Sequence, residues 1–326
     1  MKTMKSILIG CIFLMGCVAV GPSKRISFTA PDAYPEGVVF DSLRNVYYVS
    51  SARTGTIGIV TPEGEYSILH ADSNLKSTYG LKIHPDGKRL FACVGDANYS
   101  KYTSADTRKK MIRLISVDIE SGKRLSDIDL SGLLPGNHFG NDLVFDNQQN
   151  IYMTDSYAHA IYKVTPSGQA SVFAKDAKFV TEGVGINGIV YHPDGFLLVD
   201  NSNTGQLYKV ALNNAQHVEK VAINQYFVGA DGLLLNGHDT LTLVVNGGND
   251  KVYQLKTEDN WKTARLCGTT SLLERFTYPS TATINEDEVW VMNAKFNELL
   301  DSNAVPSNIF AIQKAEFKKV PKRKLK

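Results

Sequence analysis

The stretch NDLVFDNQQNIYMTD, residues 141–155, decides the fold because variants of it recur along the chain. Its pattern is a polar residue, a short apolar run, a turn and a second apolar run. Three further stretches share this pattern clearly: EGVVFDSLRNVYYVS (residues 36–50), NGIVYHPDGFLLVD (187–200) and DGLLLNGHDTLTLVV (231–245). Weaker copies begin at Tyr79 and Ser280. The copies start about 45 residues apart, except where a polar insert at residues 96–110 lengthens one interval, so the chain repeats one unit six times.

Each unit divides into four short β-forming runs separated by turn residues. Four-stranded units at this period are typical of a β-propeller. We therefore expect an all-β fold, a six-bladed β-propeller of four-stranded blades that forms a single domain over residues 25–315. The sixth unit has only three good strands, while an orphan β run at residues 25–30 precedes the first unit. We predict that this N-terminal strand completes the sixth blade and closes the ring.

Composition and charge agree with one folded body. The 326 residues are 43% apolar and carry a formal net charge of +2, which excludes a chain that is disordered as a whole. Basic residues are concentrated at the two ends, so the body between them is net acidic and a nucleic-acid partner is not expected. Residues 316–326 are expected to form a solvated basic tail, and the protein is expected to be a monomer.

Residues 1–16 have the layout of an export signal. A basic start precedes an apolar stretch, residues 7–15, that is too short to span a bilayer stably. The stretch ends in LMGC, which resembles the lipobox of bacterial lipoproteins; the resemblance implies a lipid anchor on Cys17 and a linker over residues 17–24. The alternative is a plain secretory signal cut near Ala19. In both cases we expect an exported protein of the bacterial cell envelope, lipid-anchored or periplasmic, that meets a membrane only through Cys17.

The polar residue that opens each unit is the strongest candidate for chemistry. The first strand of every propeller blade lines the central channel, so these positions converge in space. They are Glu36, Tyr79, Asn141, Asn187, Asp231 and Ser280. Two carboxylates and two amides offer hard oxygen ligands, which suit Ca²⁺ better than Mg²⁺ because six rigid blades cannot readily arrange a small octahedron. The alternative is that these side chains only satisfy strand ends and channel waters.

The same positions carry a resemblance to a known family. The matching segments are residues 35–37, 141–143, 185–188 and 229–232. Over roughly residues 30–315 the chain resembles the gluconolactonase and senescence-marker-protein family, with diisopropylfluorophosphatase and paraoxonase as more distant six-bladed relatives. The resemblance implies that Glu36, Asn141, Asn187 and Asp231 bind Ca²⁺. It also implies that the metal polarises the oxygen of a lactone or related ester, with Asp231 as general base or nucleophile.

Other polar residues are candidates of a different kind. His138 lies just before the third unit, on the loop entering the channel face, where it could shuttle a proton; the alternative is a polar surface residue. His84 and His192 belong to His-Pro-Asp-Gly turns, for which we expect surface positions. Polar residues also recur near the ends of the second strands, where a structural role is expected: Asp155, Asp200, Asn246 and Asn293.

Two classes of function remain open from the sequence. The first is a calcium-dependent hydrolase of a small-molecule ester or lactone. The second is a non-catalytic cell-envelope binding propeller with a structural calcium, in which the insert at residues 96–110 forms the recognition surface. The fold alone cannot choose between them, because propellers serve both purposes.

Overall fold

The computed structural model describes residues 24–322. The export signal and the lipobox residue Cys17 lie outside the described residues. Regular structure within residues 24–322 is nearly all β-strand, in six separate sheets, with one short helix, α1 (Asn297–Leu300), and three 3₁₀ turns. This part of the chain contains no helix with the length and hydrophobicity needed to cross a membrane.

The six sheets are antiparallel blades that coincide with the six sequence units. The strand that precedes them is β1 (Arg25–Thr29). Blade one contains β2 (Val38–Asp41), β3 (Val46–Val49), β4 (Ile57–Val60) and β5 (Tyr66–His70). Blade two contains β6 (Ser77–Ile83), β7 (Arg89–Gly95), β8 (Ile112–Asp118) and β9 (Arg124–Asp129). Blade three contains β10 (Gly140–Phe145), β11 (Ile151–Asp155), β12 (Ala160–Val164) and β13 (Ala170–Lys175).

The second half of the ring repeats this arrangement. Blade four contains β14 (Ile186–His192), β15 (Phe196–Asn201), β16 (Gln206–Ala211) and β17 (Asn214–Lys220). Blade five contains β18 (Ala230–Asn236), β19 (Thr240–Val245), β20 (Lys251–Lys256), β21 (Arg265–Thr269) and a short fifth strand, β25 (Lys318–Lys319). Blade six contains β22 (Pro279–Asn285), β23 (Glu288–Asn293), β24 (Ile309–Lys314) and β1.

The predicted ring closure is confirmed. Strand β1 pairs with β24, so the sixth blade combines the N-terminal strand with three strands from the other end of the ring. Its side chains alternate between exposed and buried, and Ile26 and Phe28 are the buried ones. Phe28 lies opposite Phe310 in the register and also stacks near Tyr66 of the first blade. The strand therefore covers the outer edge of β24 and packs its apolar face against the first and last blades.

A glycine next to the opening residue lets the first strands approach each other closely. A Cβ atom on Gly188 would lie 2.2 Å from the backbone oxygen of Asp231 in the next blade. One on Gly37 would lie 2.3 Å from the backbone oxygen of Tyr79. Only glycine fits such backbone contacts. The close approach brings the opening residues of neighbouring blades around one axis.

The structure differs from the sequence expectation in the basic tail. Lys318 and Lys319 pair with Thr269 and Gly268 at the outer edge of the fifth blade, and Lys322 Nζ lies 2.9 Å from a carboxylate oxygen of Glu258. The described part of the tail is thus docked, although its lysine side chains are exposed. A lysine-rich segment on an outer strand covers an edge that would otherwise be open to pairing with another chain.

The turn histidines are buried, contrary to expectation. His84 is 5% exposed and His192 is 1% exposed. Each ring accepts the backbone N–H two residues later at its Nδ1, from Asp86 and Asp194 respectively, at 3.2 and 3.1 Å. His192 also stacks on Phe196 at 4.2 Å between ring centroids. The imidazole closes the turn and fills the adjoining apolar layer, so the residue packs inward.

Candidate functional site

A cavity of about 410 Å³ lies where the first strands of the blades begin. Its lining includes all four residues predicted as metal ligands: Glu36, Asn141, Asn187 and Asp231. They come from four blades and lie far apart in sequence. The propeller therefore brings them together as the repeat pattern predicts.

Two of these side chains have buried oxygen atoms without a hydrogen-bond partner. Glu36 is 4% exposed and its Oε2 atom is unpartnered. Asn141 is 2% exposed and its Oδ1 atom is also unpartnered. Buried polar atoms are nearly always satisfied, because an unmet acceptor costs roughly 1–3 kcal/mol. Both acceptors belong to residues that line one cavity, where a bound cation or water molecule could satisfy them.

Serine residues fix the orientation of both asparagine amides. Asn141 Nδ2 donates to Ser156 Oγ at 3.1 Å, and that hydroxyl donates to the backbone oxygen of Ile186 in the next blade at 2.7 Å. Asn187 Nδ2 likewise donates to Ser202 Oγ at 2.9 Å, and that hydroxyl donates to the backbone oxygen of Ala230. Because the nitrogen of each amide is held by a serine, its carbonyl oxygen is left for the cavity.

Asn246 has the corresponding place in the fifth blade. Its Nδ2 donates to Asp231 Oδ2 at 2.5 Å and to the backbone oxygen of Pro279 at 3.0 Å. Asn246 therefore contacts the site, whereas a structural role was expected for it. The other three residues of that group do make structural contacts, such as the bond from Gly188 N to Asp200 Oδ1.

The sequence did not lead us to predict that Ser156 and Ser202 hold the asparagine side chains. Each follows its asparagine by the same interval that separates Asp231 from Asn246. This constant spacing was the available signal. It was not recognised because a serine at the end of a strand is unremarkable without its contact to the neighbouring blade.

The site is strongly acidic. Burial, followed by the charges of Asp231 and Asp142, raises the pKa of Glu36 well above its usual value, against a smaller opposing effect of Lys82. Burial raises the pKa of Asp231 to about 7, and the nearby Asp142 carboxylate adds to the shift, while hydrogen bonds from Asn246 and Asn187 oppose it. Burial and the charge of Asp231 raise the pKa of Asp200, which accepts a hydrogen bond from the backbone N–H of Gly188, well above its usual value.

These residues fit a hard dication. Glu36 and Asp231 supply negative charge, and Asn141 and Asn187 supply neutral oxygens, a donor set that Ca²⁺ accepts. The unpartnered atoms Glu36 Oε2 and Asn141 Oδ1 are acceptors, as metal ligation requires. A dication would also offset the carboxylate repulsion that raises the pKa of Glu36.

The two remaining opening positions, Ser280 and Tyr79, point away from the cavity lining and pack within the protein. Ser280 Oγ donates to the backbone oxygen of Glu36 at 2.6 Å and so ties the last blade to the first. Tyr79 is fully buried, with its ring against Phe139 at 4.8 Å between centroids. Neither residue lines the cavity.

His138 is not on the cavity wall. It is 2% exposed, and its Nδ1 lies 2.6 Å from Asp155 Oδ2. Asp155 also accepts from the backbone N–H of Phe139 and from Tyr162 Oη. His138 thus belongs to a buried network that holds the loop before β10, which favours a structural role over proton transfer.

Replacing His138 by leucine is expected to lower the free energy of unfolding by about 1–3 kcal/mol, because Asp155 loses a buried partner. Any turnover per folded molecule should persist, since the ring does not reach the cavity. Denaturant unfolding and active-site-normalised kinetics measure the two quantities. A fall in turnover of about a hundredfold or more with unchanged stability would instead establish the proton-shuttle role.

The polar insert at residues 96–110 forms part of the cavity wall. Asp96 organises it by accepting hydrogen bonds from the hydroxyls of Thr103 and Thr107, both at 2.8 Å. The insert places Tyr99 on the cavity, where its ring lies 5.3 Å from that of Phe296. The insert therefore contributes a side chain to the surface that a ligand in the cavity would contact.

Comparisons with known sequences give limited similarity. No family model matches the chain. It is similar to trichothecene biosynthesis protein 14 of Trichoderma arundinaceum, with 28% identity over 167 residues. The match covers 47% of this chain and 45% of that protein, so the similarity spans less than half the length of the relative.

Comparisons with solved structures agree on the fold. The major allergen Mala s 1 of Malassezia sympodialis superposes with a TM-score of 0.73 at 17% identity, covering 90% of this chain and 96% of that chain. The PQQ-bound aldose sugar dehydrogenase of Streptomyces coelicolor has a TM-score of 0.60 at 13% identity, covering 91% and 99%. A luciferin-regenerating enzyme has a TM-score of 0.60 at 12% identity, covering 91% and 98%. The chain is thus a six-bladed β-propeller whose structural neighbours include enzymes.

Proposed function

We propose that the protein is a calcium-dependent hydrolase of a lactone or related ester, of the type found in the gluconolactonase and senescence-marker-protein family. The observation that carries the proposal is the pair of buried, unpartnered oxygens, Glu36 Oε2 and Asn141 Oδ1, on a cavity shared with Asn187 and Asp231. Most buried polar groups have a partner in the protein or an ordered water molecule. Unmet acceptors on residues that line a cavity are what a resident cation needs.

Calcium, when bound, supplies a Lewis acid that polarises a carbonyl or phosphoryl oxygen. The chain supplies the remaining groups. Ser156 and Ser202 hold the asparagine amides, and Asn246 holds one oxygen of Asp231. The carboxylate is therefore fixed in orientation while part of its surface stays open to the cavity.

Asp231 acts as the general base in this scheme. Its carboxylate takes a proton from a water molecule as the water oxygen bonds to the carbonyl carbon of the substrate. The bond between that carbon and its ring or alkoxy oxygen then breaks, and the departing oxygen takes up the proton. A lactone yields a hydroxy acid, and an ester yields an acid and an alcohol. Asn246 is a positioning residue, because it acts only through Asp231.

The test is a turnover screen of the purified protein against lactones, aryl esters and phosphotriesters, with Ca²⁺ and with a chelator. We expect hydrolysis of at least one lactone or ester, loss of activity in chelator and recovery with Ca²⁺ but not with Mg²⁺. Turnover that survives the chelator would contradict the calcium requirement. Calcium binding without turnover of any compound would favour the binding propeller.

A further inference from the structure

One side of the cavity is formed by a continuous group of aromatic rings, here called the aromatic wall: Tyr99, Phe139, Tyr278 and Phe296. The ring of Tyr99 lies 5.3 Å from that of Phe296 and 6.5 Å from that of Phe139. Tyr278 and Phe296 are stacked, with centroids 6.2 Å apart. The four rings therefore form one surface.

The aromatic wall faces a polar side. The four rings come from the loops of the second, third and sixth blades. The opposite blades, four and five, contribute polar groups that include Asn203, Ser202 and Asn246, together with the smaller aliphatic side chains of Val184 and Val228. The predicted ligands Glu36, Asn141, Asn187 and Asp231 line the same cavity. A bound molecule would therefore meet flat aromatic faces on one side and, on the other, a mainly polar surface whose described residues include no aromatic ring.

The charge of the cavity disfavours an anionic ligand. Its described lining contains three carboxylates, Glu36, Glu182 and Asp231, and no lysine, arginine or histidine. A dication would offset two of these charges and leave the cavity with no positive excess. Sugar acids and phosphate esters need cationic or bidentate partners, which this lining does not provide.

We propose that the cavity takes an uncharged aromatic lactone or ester, whose aryl ring lies on the aromatic wall while its carbonyl oxygen points towards Glu36, Asn141, Asn187 and Asp231. This inference rests on the proposed hydrolase function for the carbonyl end of the ligand. The volume of about 410 Å³ suits a fused two-ring molecule and lies within the range of small-molecule sites. Offset or edge contacts with the rings favour an aryl group over a saturated ring of similar polarity.

Equilibrium binding of lactams tests this class without requiring turnover, because a lactam resists hydrolysis. Calorimetry would compare 3,4-dihydro-2-quinolinone, the lactam analogue of an aromatic lactone, with δ-valerolactam on the calcium-loaded protein and in chelator. We expect the aromatic lactam to bind at least about tenfold more tightly. A benzoate ion should bind more weakly than the uncharged aromatic lactam.

Variants of the aromatic wall test whether its rings cause the tighter binding of the aromatic lactam. Phe296→Leu keeps much of the volume but removes a ring face, so affinity for the aromatic lactam should fall about threefold to tenfold and affinity for δ-valerolactam should hardly change. Tyr99→Leu, in the insert, provides a second variant if Phe296→Leu folds poorly. Phe173→Leu, on the outer strand β13 and remote from the cavity lining, is the matched control and should change neither affinity.

Equal affinities for the two lactams, or no binding of either, would overturn the inference. Equal weakening of both lactams in Phe296→Leu would overturn it as well. Selective binding of the aromatic lactam by a protein that hydrolyses nothing in the turnover screen would support the ligand class while the hydrolase proposal fails. The two failures are therefore distinguishable.

Discussion

Replacing Asp231 by asparagine is expected to lower the turnover of a lactone or ester by about a hundredfold to ten-thousandfold. Asparagine keeps the shape of the side chain and can still accept the hydrogen bond from Asn246, so the fold should survive. It cannot accept a proton at neutral pH, which removes the proposed base. Turnover should be measured at saturating Ca²⁺, because the change also removes one negative charge from the cation site.

The control for this experiment is Asp239→Asn at the other end of the same blade. Asp239 is exposed and pairs with Lys256 at 2.9 Å, outside the cavity lining. Its replacement removes the same charge from the same blade without touching the site, and turnover should stay unchanged. Full turnover by Asp231→Asn at saturating Ca²⁺ would contradict the assignment of Asp231 as the base.

The second large effect is expected in the closing strand β1. Phe28 is 2% exposed and packs against Phe310 and Tyr66, with ring centroids 6.3 and 5.9 Å away. Phe28→Ala should lower the free energy of unfolding by about 3–5 kcal/mol, because it removes a buried ring and leaves a cavity between the first and last blades. Chemical denaturation, or thermal melting where unfolding is irreversible, measures the change.

Ser27→Ala is the matched variant for Phe28. Ser27 lies next to Phe28 in the same strand but on its exposed face, so the substitution should change stability by less than about 0.5 kcal/mol. Equal stability of the two variants would contradict the view that ring closure depends on the buried face of β1. Strong destabilisation confined to Phe28→Ala would support it.

The sequence was sufficient to predict the ring and the residues around its axis. Units opening at Glu36, Asn141, Asn187 and Asp231 repeat at nearly constant intervals, and a propeller places equivalent positions together. The pairing of β1 with β24 could be predicted for a similar reason, because the sixth unit lacked one strand. These predictions depend only on the period of the repeat, which can be recognised in a single sequence.

Contacts between blades could not be predicted in the same way. Ser156 and Ser202 matter because their hydroxyls reach a backbone oxygen of the neighbouring blade, a distance that periodicity does not specify. Tyr99 lies in the one insert that breaks the repeat, so no equivalent residue indicated its place in the aromatic wall. Because His138 comes just before the third unit, the sequence predicted that it lies on the channel face. Its hydrogen bond to Asp155 instead holds the side chain in the protein interior.

The most direct test of the central claim is a calorimetric titration of the purified protein with Ca²⁺, beside Glu36→Gln and the surface control Glu219→Gln on the outer strand β17. We expect one-to-one binding by the unchanged protein and by the control. Glu36→Gln should lose binding or weaken it by at least about a hundredfold, because a buried anionic ligand becomes neutral. The variant should melt in chelator no lower than the unchanged protein, since the neutral amide avoids repulsion from Asp231. Absence of calcium binding by the unchanged protein, or equal binding by Glu36→Gln, would contradict a calcium site in the channel.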